Sequence, residues 1–177
     1  MERMWMVRGD GGTLYDAFRE RGVVAVGWSQ LAAHAKPGVG RKQLIALYQA
    51  AEPQAKHGTV VSGASQVWRF VNDIRDGDWV VTYSPPNRIY SIGRIAGPAT
   101  HHADWAEQGM PLARDVHWGA QELPRDRLGT GTKNSLGSTL TLFEVPRVAA
   151  AEVLAALQGQ SAPMADAPMA ADTPLEA

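Results

Sequence analysis

The chain contains no cysteine. That excludes disulfides, thiolate-bound zinc and a cysteine nucleophile. No stretch approaches the roughly 20 consecutive apolar residues that a membrane helix needs. Residues 1–12 also lack the apolar run of a secretory leader, so a soluble cytoplasmic protein with no membrane partner is expected. An excess of either charge is missing too: 17 Lys and Arg stand against 18 Asp and Glu, a net charge of -1. A nucleic-acid binder of this composition has to work through a local patch and not a global field.

Catalytic signatures are equally scarce. The run Arg8-Gly9-Asp10-Gly11-Gly12 precedes a helical pattern, but its spacing matches neither a Walker A loop nor a dinucleotide fingerprint, and Asp10 repels phosphate. A tight strand-to-helix turn explains it, with backbone N–H groups still open to another ligand. There is no GxSxG elbow, no Ser-His-Asp order and no nuclease-like acid followed by Glu-x-Lys. Of His34, His57, His101, His102 and His117, only the pair 101–102 is adjacent, and neighbours on an extended chain point to opposite sides. No metal, no cofactor and no enzymatic activity are expected.

What is present is a normal globular mixture: 177 residues, 45% hydrophobic, enough for one domain with a real core. Residues 4–8 read as a strand, 13–21 as a helix stopped at Gly22, and 23–28 as a buried strand. Helices are expected over 41–51 and 65–74, then a hairpin of 79–83 with 88–95. Strands over 112–118 and 139–145 and a helix over 149–157 complete the list. The sum is an α+β plan: a curved, mostly antiparallel sheet of five or six strands with helices packed outside. Residues 1–158 form the domain in this reading. From Gly159 the chain turns to Ala, Pro, Met, Gln and acids without Lys or Arg, and 159–177 are expected to be a flexible tail or linker.

Six tryptophans carry more information than any other count. Trp5, Trp68 and Trp79 fall in periodic segments and read as core. Trp28 ends a buried strand before polar Ser29-Gln30, so its ring is free to project from the sheet rim. Trp105 sits in the polar loop Asp104-Trp105-Ala106-Glu107-Gln108-Gly109, either capping the core or facing a ligand. Two converging indoles make a slot for a planar heterocycle.

These segments resemble the N-terminal domain of Mrr-type restriction endonucleases. The resemblance is carried by Trp5-Met6-Val7-Arg8-Gly9 with Gly11-Gly12, residues 22–28, Gln66-Val67-Trp68-Arg69-Phe70, and Gly77-Asp78 with 80–83. Tyr90-Ser91-Ile92-Gly93, residues 133–138 and 140–143 extend it in the same order. The resemblance implies a PUA-like β-barrel of the EVE/YTH type that takes one flipped, modified base, methylated cytosine or adenine, out of double-stranded DNA. It implies a specificity module of a modification-dependent restriction system, with any nuclease activity in a C-terminal domain beyond residue 177. By position, the base-binding residues are Trp28, Trp105, Arg8, Gly9, Asp10, Ser29 and Tyr83, and the backbone contacts are Lys133, Asn134, Ser135, Arg88 and Arg114. The alternative is an RNA- or protein-binding module of the same fold without preference for modified DNA.

Overall fold

The computed structural model describes residues 2–161. Most of the expected tail, residues 162–177, lies outside the described residues. The part at 159–161 continues a helix.

The chain opens with β1 (Met4–Val7), whose four residues are all buried. Its unbroken Met-Trp-Met-Val run has no polar alternation because both faces of the strand are covered. Next come a 3-10 turn at Gly9–Gly12, α1 (Tyr15–Arg21), β2 (Val23–Val26) and a one-turn α2 (Ser29–Ala32). The turn is left-handed at Asp10, Gly11 and Gly12. Helices α3 (Arg41–Ala51) and α4 (His57–Trp68) follow, and α4 widens into a π-turn at Arg69–Asp73. The hairpin β3 (Trp79–Ser84) and β4 (Ile89–Ile95), the two-residue β5 (Thr100–His101) and the long β6 (Leu112–Pro124) come next. The described chain closes with α5 (Thr130–Ser135), β7 (Leu142–Glu144) and α6 (Arg147–Ser161).

The strand order is β2-β6-β4-β3-β1-β7, with β5 on the flank of β6. Every pairing is antiparallel except β1 with β3. β1 and β2 touch although three strands separate them in that order. The sheet therefore curls on itself, and the ends of β1 and β2 meet at its seam. The expected α+β plan, a curved and mostly antiparallel sheet with helices outside, is what the chain adopts.

Helices cover both faces. On one, Trp5, Val7, Val24, Val80 and Ile95 pack against Phe18 of α1, Leu31 of α2, Leu44 and Tyr48 of α3, and Val60, Val67 and Phe70 around α4. On the other, Met4, Met6, Val81, Tyr90, Ile92 and Phe143 pack against Leu136, next to α5, and Ala149 and Val153 of α6. Alternate residues of β1 thus serve two cores, and burying each large side chain contributes roughly 1.5–3 kcal/mol.

β6 and α4 differ from their expected lengths, and α2 and α5 were not expected, each for a physical reason. β6 runs past 118 because the register slips between Ser91 and Gly93, leaving Gly119, Ala120 and Gln121 opposite Ile92. That bulge breaks the alternation a strand is recognised by. Gly93 is required beside it, since a Cβ there would lie 2.6 Å from the His117 carbonyl. α4 begins at His57 and not 65, through a weakly helical His-Gly-Thr start with no side-chain cap. α2 and α5 are too short to show a helical period.

The tryptophans expected in the core divide. Trp5 is fully buried and donates its indole N–H to Asp78 at 3.0 Å. The guanidinium groups of Arg3 and Arg69 lie over its ring at 4.6 and 4.8 Å and reach Asp73 and Glu144. Trp68 and Trp79 are half-buried under Arg41 and Arg94.

No helix among the described residues is long and apolar enough to cross a membrane.

Candidate functional site

Two cavities of opposite character lie on either side of the segment that leaves β1. The first, about 580 Å³, opens at the seam where β1 and β2 end. Asp10 enters from the turn after β1; Gly27, Trp28 and Gln30 come from the end of β2 and the start of α2. Glu107, Gln108 and Gly109 come from the loop before β6, and Thr141 from the approach to β7. Close packing fixes the indole from behind: a Cβ on Gly63 of α4 would lie 2.7 Å from Trp28 Nε1 and 2.8 Å from Tyr48 Cε2. Gly63 is thus a residue the sequence reading missed, and its signal, a glycine inside a helix, is visible only once α4 is seen to extend back to His57. Trp28 remains half-buried with surface to offer. The lining carries two carboxylates and no Lys or Arg.

The second cavity, about 320 Å³, is lined by Arg8, Tyr83, Arg88, Tyr90, Arg125, Lys133, Leu136 and Gly137. It brings four cationic side chains together and no carboxylate, a local patch in a chain of near-zero net charge. The Tyr83 and Tyr90 rings lie 4.6 Å apart on its floor. Burial pushes the Tyr90 phenol up, with Arg125 opposing that shift. Arg88 is exposed and pairs with Asp126 at 3.0 Å, which raises the guanidinium and lowers the carboxyl. Such a surface suits phosphate oxygens. The two cavities share a wall: the Arg8 amide donates to the Thr141 carbonyl at 2.7 Å, and the Arg8 guanidinium donates to the Ser138 carbonyl at 2.7 Å.

The expected residues sort accordingly. Trp28 and Asp10 line the first cavity together. Trp105 does not join them. Its ring is covered by His102, stacked at 4.0 Å, and by the Arg21 guanidinium at 4.8 Å, so one indole, not two, faces the cavity. The right loop is there, but it presents Glu107 and Gln108 instead. Gly9 is buried against Phe18 and Leu14, where a Cβ would lie 2.6 and 2.7 Å from their atoms, so its role is packing. Ser29 is exposed at the start of α2, and its neighbour Gln30 takes the place expected for it.

Arg8 and Tyr83 fall in the second cavity with Arg88 and Lys133. Asn134 and Ser135 follow Lys133 on α5, outside the cavity lining. Arg114 is a correction. It is 4% exposed, and its guanidinium donates to the carbonyls of Gly97, Phe70 and Ile74 at 2.8–2.9 Å and to Asp76 at 3.1 Å. The π-turn leaves carbonyls without helical partners, and Arg114 supplies their donors; no face of it is left for a phosphate.

Among the described residues no group of three or more His, Cys, Asp or Glu is placed to hold an ion.

A search of curated proteins finds no match. Among solved structures, the chain is similar to the YTH domain of the Zygosaccharomyces rouxii MRB1 protein in complex with N6-methyladenosine RNA. Identity is 11%, the match covers 87% of this chain and 85% of that one, and the TM-score is 0.47. A family model matches residues 5–144, the span from the first strand to the last. On that match, the chain belongs to the family described as Domain of unknown function (DUF8426).

Proposed function

We propose that this chain is a PUA-like reader that holds one flipped, modified base of double-stranded DNA beside Trp28. In this reading the Arg8–Lys133 cavity grips the backbone. The supporting observation is the pairing of cavities across one wall: an acidic, indole-lined pocket that rejects phosphate next to a cationic one that accepts it. Removing a base from the stack costs a few kcal/mol, least for a damaged or weakly paired base. Stacking on an aromatic ring contributes about 1–3 kcal/mol. Asp10 favours a base edge that donates hydrogen bonds, such as the amino edge of cytosine or adenine. The reader performs no covalent step. It serves as the specificity module of a modification-dependent restriction system, as its resemblance to the Mrr N-terminal domain implies. Cleavage then belongs to a nuclease domain outside this sequence.

The test is competition among modified duplex DNA, plain duplex DNA and RNA for the wild type and for Trp28→Ala. The wild type prefers modified duplex, and Trp28→Ala lowers that preference by roughly 5- to 150-fold, the equivalent of about 1–3 kcal/mol. A wild type that favours RNA, or binds every duplex alike, refutes the DNA reading.

A further inference from the structure

The cavity beside Trp28 is larger than a methylated base. It is a cleft of about 580 Å³ that opens to solvent, so a substituent larger than a methyl group has room to enter beside the base. A pyrimidine or purine base has eight to eleven non-hydrogen atoms, and a methyl group adds one. A methyl group therefore adds one atom in a cleft that stays open to solvent. The chemistry of the wall points the same way. Two converging indoles would form an apolar corner for a methyl group, but Trp105 is turned to His102 and Arg21. Around Trp28 stand Asp10, Gln30, Glu107, Gln108 and Thr141. Among the described residues, the side chains of Glu107, Gln108 and Thr141 make no hydrogen bond or ion pair with the rest of the protein. Gln30 uses its amide N–H on Glu52, leaving its carbonyl oxygen as an acceptor.

Carboxylates, amides and a hydroxyl around one indole suit a polyhydroxylated group. Each hydroxyl both donates and accepts, and these side chains supply both roles. The two carboxylates disfavour an anionic substituent. Resting on the reading of this cavity as a base pocket, we propose that the modification it recognises is a bulky hydroxyl-rich substituent, a glycosylated base. Trp28 stacks on the base itself, and Glu107 and Gln108 bind the sugar hydroxyls.

The experiment uses the full chain and four duplexes that differ at one central cytosine: unmodified, 5-methyl, 5-hydroxymethyl and 5-glucosyloxymethyl. The glucosylated duplex is expected to bind at least tenfold tighter than the 5-methyl duplex. The double variant Glu107→Ala with Gln108→Ala is expected to reduce that ratio at least fivefold. Both residues are exposed, and a thermal melt checks that the variant is folded. A 5-methyl duplex that binds as tightly as the glucosylated one, with its preference over plain DNA lost in Trp28→Ala, overturns the glycosylated ligand and leaves the base pocket standing. Equal binding of all four duplexes overturns both. A glucosyl preference that survives in the double variant removes Glu107 and Gln108 from recognition and overturns the assignment.

Discussion

Replacing Arg114 with Leu should cost the fold and not the interface. The side chain is 4% exposed and donates to three main-chain carbonyls, those of Gly97, Phe70 and Ile74. Leucine keeps much of the apolar bulk but leaves those acceptors without donors. An unsatisfied buried acceptor costs about 1–3 kcal/mol, so three set a range of about 3–9 kcal/mol. Local hydration of the turn brings the expectation to about 3–5 kcal/mol, the range for a broken buried ionic contact. Asp76 adds little, because its carboxylate is 65% exposed and already solvated. At roughly 2–4 °C per kcal/mol for a chain of this size, the midpoint should fall by at least about 6 °C. The assay is a thermal or urea melt of Arg114→Leu beside Asp76→Asn, followed by duplex binding at a temperature where both are folded. Asp76→Asn should melt close to the wild type. An Arg114→Leu protein that melts normally but loses DNA affinity would refute the structural role and return Arg114 to the phosphate contacts.

Other outcomes follow from the same geometry. Gly63→Ala places a Cβ 2.7 Å from Trp28 Nε1; it should cost about 1–3 kcal/mol by overpacking and lower the preference for modified DNA, whereas an unchanged melt and an unchanged ratio would show that the indole is not held there. Lys133→Glu should weaken all duplexes alike and reduce the salt slope of binding by about one unit, and an unaltered slope removes Lys133 from the interface. The acid limb of stability should depend on Asp73 and Glu144. Burial raises Asp73, but Arg3 and Arg69 outweigh it and hold the carboxyl below its usual range, while Arg3 also lowers Glu144. Lowered carboxyl pKa values stabilise the fold above the unfolded value, near about 4, and that contribution is lost as pH falls through the folded values. Melts from pH 5 to 3 should therefore show a shallower decline for Asp73→Asn than for the wild type.

Elements with long periods or sharp stops were legible in the sequence. The α3 helix, the β3–β4 hairpin and the Gly22 stop of α1 stand where pattern places them. Trp28 and Asp10 were legible as pocket residues because each sits at a strand end beside polar neighbours. Trp105 was misread because sequence locates a loop but not the direction of its ring, and His102, three residues away, covers it. Arg114 was misread because charge signals exposure unless buried carbonyls wait for it, and those carbonyls arise from a π-turn without a sequence signature. The cationic cavity is assembled from β1, the hairpin, the end of β6 and α5, so no local run of Lys or Arg announces it.

The place of β1 in the strand order sets how this protein can be made. Of the described strands, β1 is made first, yet it is an inner one, flanked by β3 and by β7, and β7 begins only at Leu142, long after the hairpin ends at Ile95. Until β7 emerges, an all-apolar Met-Trp-Met-Val strand keeps one open edge and waits on distant partners, which makes folding slow and the nascent chain prone to association. Deleting Met4–Val7 would take out the strand that joins β7 to β3, and truncation before Leu142 would leave that strand unpaired on one side.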